Sequence, residues 1–337
     1  MNESIAKRLT LFVENSQSST RDFAWTAWPQ IRHLMSLMYA LEDRSIDSAA
    51  IKESSELMKA NTGMFSIFRS GIGISSLCVA AKLSLQDSQE RLFEDILTAY
   101  DRLRDAKFRA SDQLALSAFL VATNTERHNF KKVADRAQVF HEGLRGRLWF
   151  LAQDDAVFSS MLGLSDMIPS VGIERIEELH EQLKPEFRWR SRSTVQNLAQ
   201  VLALGGKTDD ALNCLFDLNK ALRAEKMRLD KEYTLPALGT LSLLPVDNET
   251  LIRDLTEAQE YLKGQKGFRS LSIQERLLFA AAVISSVYAE ECTQASSASA
   301  ANSTTVGIVN IVIAQQIAIM ISIMNASIAA STVAASA

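Results

Sequence analysis

Apolar and polar positions alternate along this chain with a helical rhythm. "VQNLAQVLAL" places Leu198, Val201 and Leu202 on one face, and "ALNCLFDLNKAL" does the same with Leu212, Leu215, Leu218 and Leu222. The polar stretch from Gly205 to Asp210 separates them, so the two runs predict a helical hairpin. Similar pairs stand in "SSLCVAAKLSLQDSQERLFEDILTAYDRL", "LALSAFLVATNTERHNFKKVADRAQVF", "DAVFSSMLGLSDMIPSVGIERIEELHEQL" and "LPALGTLSLLPVDNETLIRDLTEAQEYL". The first helices should end near Leu41, Leu85, Ala122, Leu164, Leu204 and Leu244. Aromatic residues close most units at Phe65, Phe108, Phe150, Trp189 and Phe268, with one mark missing before the last. Both series step by about forty residues, the length of a helical-repeat unit, and each closing aromatic is expected to plug the seam to the next unit.

The pattern predicts an all-α protein: a curved, right-handed, solenoid-like α/α superhelix of about six to seven hairpins of about 40 residues each. It divides the chain into an N-terminal helix or cap (1–24), a repeat domain (25–290), a small-residue linker (291–305) and an uncharged apolar C-terminal helix (306–337).

The turns carry matching chemistry. Gly205 or Gly206 can take the left-handed conformation that ends a helix, and Thr208 or Asp209 can cap the next. Pro245 stops one helix and Asp247 or Asn248 can start its successor, with Asp87-Ser88 and Ser165-Asp166 in equivalent places. Gly206-Lys207-Thr208 echoes the end of a nucleotide-binding P-loop. That loop needs an earlier glycine where this chain has Val201, and a strand before it rather than a helix, so the hairpin turn is preferred.

Composition changes the picture little. The 337 residues are 47% hydrophobic and 23% charged with a net charge of −4, which fits an ordered protein and argues against a dedicated nucleic-acid binder. Only 5 prolines and 13 glycines favour long regular elements. Cys78, Cys214 and Cys292 are odd in number and far apart, which reads as buried free thiols in a reducing, cytoplasmic compartment. The N-terminus has no signal-peptide run.

The tail does change it. No Lys, Arg, Asp or Glu follows Glu291, and "VGIVNIVIAQQIAIMISIMNASIAASTVAASA" is long enough to cross a bilayer. Asn310, Gln315, Gln316 and Asn325 would be costly in lipid, and no basic residue flanks the run. A helix packed on the last repeat, or joining two copies of the chain, is therefore preferred to a membrane tail; the period-two "IAIMISI" leaves a strand as a third reading.

No catalytic constellation or cofactor motif emerges. His33, His128, His141 and His180 form no metal-ligand pattern, there is no GxSxG, and Gly71-Ile72-Gly73 lacks its third glycine. Three stretches carry candidate binding residues. Phe68 and Arg69 lie in "NTGMFSIFRSG", where the arginine can bond helix-end carbonyls or an anion. Asp154 and Asp155 open a helix, and the plain reading is capping and dipole compensation. In "KPEFRWRSRS", Arg188, Trp189, Arg190 and Arg192 can stack a base and hold phosphates; the plain reading makes Trp189 the seam aromatic and the arginines its solvated edge.

The order "NTGMFSIFRSG", "QDDAVFSSMLGLSD", "TVQNLAQVLAL" and an alanine-rich C-terminus with "AQQIAIM" resembles the bacterial domain of unknown function 4003 family over nearly the whole length. In that family a histidine often stands where this chain has Gln200. The resemblance implies a cytosolic bacterial protein, mostly of Gram-positive lineages, and brings no activity, substrate or cofactor. The functional expectation is a non-catalytic protein that binds a protein or peptide partner in the groove of the superhelix. One alternative is an enzyme using Arg69, Asp154 and Asp155, and another is a single-stranded nucleic-acid binder using the basic-aromatic patch.

Overall fold

The computed structural model describes residues 1–23, 29–64, 66–69, 74–148, 156–205, 208–231 and 233–297. Fourteen α-helices and no strand occur among them. In chain order they are α1 (Glu3–Asp22), α2 (Pro29–Leu41), α3 (Ser48–Ala60), α4 (Ile74–Leu83), α5 (Gln89–Asp105), α6 (Asp112–Asn124) and α7 (Phe130–Leu148). Then come α8 (Ala156–Leu164), α9 (Pro169–Leu183), α10 (Arg192–Leu204), α11 (Thr208–Ala224), α12 (Leu235–Ser242), α13 (Asn248–Gly264) and α14 (Ile273–Ser297). The all-α expectation holds. Helices α2, α8 and α10 end at the expected Leu41, Leu164 and Leu204, and α4, α6 and α12 end at Leu83, Asn124 and Ser242.

Two kinds of helix alternate, for a reason visible in their letters. In α8 every residue from Ala156 to Gly163 is buried, as is every residue from Leu235 to Ser242 in α12. A helix apolar all round is stable only with neighbours on every side. Helix α5 instead buries Phe93, Ile96, Ala99 and Leu103 on one stripe, and α13 buries Leu251, Leu255, Ala258 and Leu262. Such amphipathic helices cover a core and face water.

The chain forms two compact units. One comprises residues 18–39 and 45–177. There α4 packs on α6 and α6 on α8, while α3, α5 and α7 form the row beside them. Gly163 lets α8 approach α7 closely, since a Cβ at that position would lie 2.6 Å from the Val133 carbonyl oxygen. Arg136 of α7 closes the end of α8, donating to the carbonyls of Gly163, Ser165 and Met167 at 3.0, 2.6 and 2.8 Å.

The other unit comprises residues 1–17, 40–44 and the described residues from 178 onward. Here α10 packs on α12 and α12 on α14, with α11 and α13 alongside. Helix α1 lies against α14: Phe12 meets Phe268 edge-on at 5.1 Å and Phe279 at 5.3 Å. Arg8, buried, grips both carboxylate oxygens of Glu290 at 2.8 and 2.9 Å. Helix α14 runs on to Ser297, within the stretch expected as linker. The rest of the linker and the tail lie outside the described residues.

Some local expectations need correction. Gly205 ends α10 with φ −77°, so it does not use left-handed geometry, and Gly206 lies outside the described residues. The left-handed corners belong to Asp43, Lys107, Lys226 and Gly267. After α5, Lys107 N–H bonds the Arg104 carbonyl at 2.9 Å and Phe108 N–H the Leu103 carbonyl at 3.2 Å; Lys226 and Met227 repeat this after α11. That pairing satisfies the last helix carbonyls and buries the residue that follows the corner. Asp247, rather than Asn248, caps α13 through Thr250 N–H at 2.8 Å. Cys78 is buried as expected and its thiol is pushed up to about 12 by burial, but Cys214 is exposed. It falls on the outer face of the amphipathic α11, between buried Leu212 and Leu215.

Candidate functional site

The hairpin corners supply the frame for reading the candidate residues. Buried residues close the second helices at Phe68, Phe108, Phe187, Met227 and Phe268, and each is followed directly by arginine. Their numbers step by 40 from 68 to 108, by 40 from 187 to 227, and by 41 from 227 to 268. This shifts the expected series. Phe187, 3% exposed, holds the place expected of Trp189, and Met227 supplies the missing mark. Phe65 and Phe150 lie outside the described residues.

The reason is a hydrogen bond. After α9 the Phe187 N–H bonds the Leu183 carbonyl at 3.0 Å, which carries the helical turn one step further. Phe187 then falls four residues after buried Leu183, on the same face, while Trp189 is turned outward and 79% exposed.

What each arginine does separates the corners. Arg69 donates through Nη1 to the carbonyls of Lys59 and Thr62 at 3.1 and 2.9 Å, closing the end of α3. Its neighbour Phe68 is buried edge-on to Phe93 and Tyr100, at 5.8 and 5.4 Å. Arg269 donates to the Gly264 carbonyl at the end of α13, at 3.2 Å. Of the two roles expected for Arg69, the bond to helix-end carbonyls is the one observed.

Arg188 and Arg228 are used differently. The Arg188 guanidinium lies over the Trp189 ring, 4.9 Å from its centroid. Arg228 turns to Asp230, pairing with both carboxylate oxygens at 2.7 and 2.9 Å. Arg223 joins it from α11 at 2.7 and 3.0 Å, and also reaches Glu186 at 3.1 Å. Arg190 donates to the Asp230 carbonyl at 2.5 Å. The Asp230 side chain is only 1% exposed, and burial alone would push its carboxyl up; the bonds from Arg228 and Arg223 outweigh this and hold it down to about 2. Ser191 caps α10 through Thr194 N–H at 3.2 Å, setting Arg192 at the first helical position. The cluster thus joins Arg190, Arg223 and Arg228 at Asp230, with Glu186 accepting from Arg223.

Sequence reasoning missed Glu186, Arg223, Arg228 and Asp230. The signal was an internal repeat: Arg104, Lys107, Phe108 and Arg109 recur at the same spacing as Arg223, Lys226, Met227 and Arg228. At the first corner Arg104 bonds the Phe108 carbonyl at 2.7 Å; at the second its counterpart binds an acid that the first corner lacks.

Asp154 and Asp155 lie outside the described residues. Among the described residues no three His, Cys, Asp or Glu side chains are grouped to hold a metal ion. His180 is buried on α9 and burial lowers its pKa; His141 is lowered in the same way and by Arg145. Gln196 and Gln200, one turn apart on α10, are buried, and neither oxygen nor nitrogen of the Gln200 amide has a partner among the described residues.

A second feature lies between α11 and α13. Ala221, Ala224 and Ile252 line a groove of about 630 Å³ together with Glu225, Glu249, Glu257 and Arg253, and Glu257 is paired with the Met1 ammonium. Arg253 leans toward Asp254, 3.4 Å away. No helix among the described residues is long and apolar enough to cross a membrane. No curated protein and no solved structure matches the chain. From residue 16 to residue 322 it matches the family described as "Protein of unknown function (DUF4003)", and it belongs to that family.

Proposed function

We propose that this is a non-catalytic, cytoplasmic binding protein built from stacked helical hairpins, and that the groove between α11 and α13 seats a basic amphipathic segment of a partner protein. The groove carries this reading: Ala221, Ala224 and Ile252 line it together with the Glu225 and Glu249 carboxylates, while Glu257 is paired with the Met1 ammonium and Arg253 leans toward Asp254. Residues 248 to 257 of α13 run along it, about 14 Å at the helical rise, which accommodates about two turns of a guest helix. Alanines on one wall allow close approach, and acids at the rim select Lys or Arg flanking an apolar stripe. The packing of α4 with α6 and α8, and of α10 with α12 and α14, supports the hairpin-stack reading within each unit.

The test uses two labelled helical peptides of about fifteen residues, leucine on one face and either lysine or glutamate on its flanks. The lysine peptide should bind, and Ile252→Arg or the Glu225→Lys, Glu249→Lys pair should weaken it about tenfold or more. Equal binding of both peptides, or indifference to these substitutions, would refute the groove as the seat.

A further inference from the structure

Helix α10 carries a second inference, independent of the groove. Three amides, Gln196, Asn197 and Gln200, interrupt a run that is otherwise apolar from Val195 to Leu204. At about 3.6 residues per turn they share one arc of the helix. Leu198 and Val201 lie against Gly239 of α12, so the amides occupy the arc beside that contact. Gln196 and Gln200 are nonetheless buried, and Asn197 is half-buried. Among the described residues four of their atoms are buried with no hydrogen-bond partner: Gln196 Nε2, Asn197 Oδ1, and both Nε2 and Oε1 of Gln200. Packing gives no reason for them, since a leucine or methionine fills a similar volume without stripping water from a polar group.

These atoms specify the ligand. An amide free at both ends offers a donor and an acceptor side by side, and it pairs with a group that presents an acceptor and a donor in return. A primary carboxamide is such a group: its oxygen accepts from Gln200 Nε2, and one of its N–H groups donates to Gln200 Oε1. The match holds whichever end of Gln200 is the oxygen. The carboxamide then has one lone pair and one N–H left, and Gln196 Nε2 and Asn197 Oδ1 are the free donor and acceptor of the same arc. All four atoms are thereby used, and no charge is brought to a set that carries none. A carboxylate has no hydrogen for the two oxygens, and an ammonium has no lone pair for the two nitrogens. We infer that the face of α10 formed by Gln196, Asn197 and Gln200 binds a small uncharged molecule by its primary carboxamide. Gln200 is 0% exposed, so the molecule enters when the covering side chains part, and it is enclosed once bound.

Thermal melting and calorimetry test it, with propionamide and nicotinamide as probes. Each is compared with its carboxylate, propionate or nicotinate, and with its N,N-dimethyl form, which keeps the carbonyl and loses both N–H groups. The expected result is a rise in melting temperature with at least one primary carboxamide. Its carboxylate and its dimethyl form should bind about tenfold or more weakly, because each leaves buried polar atoms unpaired. Gln200→Leu should abolish the rise while melting higher than the unsubstituted protein without any probe, since it removes an unpartnered buried amide. Gln196→Met, which leaves the Gln200 pairing in place, should weaken binding about fivefold. No rise with either primary carboxamide would overturn the inference. So would equal affinity for an amide and its dimethyl form, or tighter binding of the carboxylates. A Gln200→Leu protein that melts lower than the unsubstituted one would also overturn it, because the amide would then be a structural group.

Discussion

The corner at Phe68-Arg69 and the corner at Phe187-Arg188 begin from the same two letters and end in different physics. In the first, the buried ring sits against Phe93 and Tyr100 while the arginine donates to the carbonyls of Lys59, in the last turn of α3, and Thr62, just beyond it. In the second, the ring is equally buried, but the arginine lies on an exposed indole and the nearby cations are gathered by Asp230. A repeated structural device is completed at one place and diverted at another. The diversion, rather than the motif, marks the candidate site.

The sharpest way to break this comparison is to exchange the roles of the two aromatic residues. Phe187→Ala removes a buried ring and should cost about 3–5 kcal/mol in urea unfolding, whereas Trp189→Ala should stay within about 0.5 kcal/mol. If the tryptophan variant were the unstable one, Trp189 would be the seam residue after all.

Asp230 gives the next largest effect. Its carboxyl is held below its ordinary value of 3.8, at about 2, so the stabilisation is complete above about pH 4 and is lost as pH falls toward 2. Because Arg223 and Arg228 are each 41% exposed, solvent screening reduces the contribution to about 1–2 kcal/mol. Asp230→Asn should lose that amount at pH 7 and flatten the acid limb of a stability-versus-pH curve. An unchanged limb would show that the arginines are not gathered by this carboxylate.

The smallest effect sharpens the likeness among corners. Lys107 and Lys226 adopt φ +69° and +59°, and the equivalent position before Phe268 is Gly267 at +91°. A side chain in this region is strained and glycine is not, so Lys107→Gly and Lys226→Gly should each raise stability by about 0.5–1 kcal/mol. Thermal melts of the single variants are sufficient. A loss of stability at either position would mean that the lysine makes contacts that outweigh its backbone strain.

The letters also show how far the sequence could be read. A period near forty was legible in the letters, and the buried residues Phe68, Phe108, Phe187, Met227 and Phe268 keep it at steps of 40 or 41 between 68 and 108, 187 and 227, and 227 and 268. The phase within that period was not. Phe187 and Trp189 differ by two residues, and either fits a repeat that varies by one or two. The P-loop echo at Gly206 could be dismissed from the pattern alone, and α10 and α11 do lie on either side of it. The two uses proposed for Arg69 could not be separated by spacing, since both require only an arginine after a helix.

Hydrophobic periodicity by itself determined the helical class and, within two residues, the ends of α2, α4, α6, α8, α10 and α12, because burying an apolar stripe is a local property of the chain. Placement of the closing side chains depended on a single backbone bond, from Phe187 N–H to the Leu183 carbonyl, which decides whether the turn continues past α9. Only the tertiary structure could decide that. The arginine cluster needed it as well: Arg190 and Asp230 are forty positions apart in the chain (230 minus 190) and become neighbours only when the hairpin between them folds back. Charge pairing acts over a few ångströms in space, and sequence distance carries no record of it.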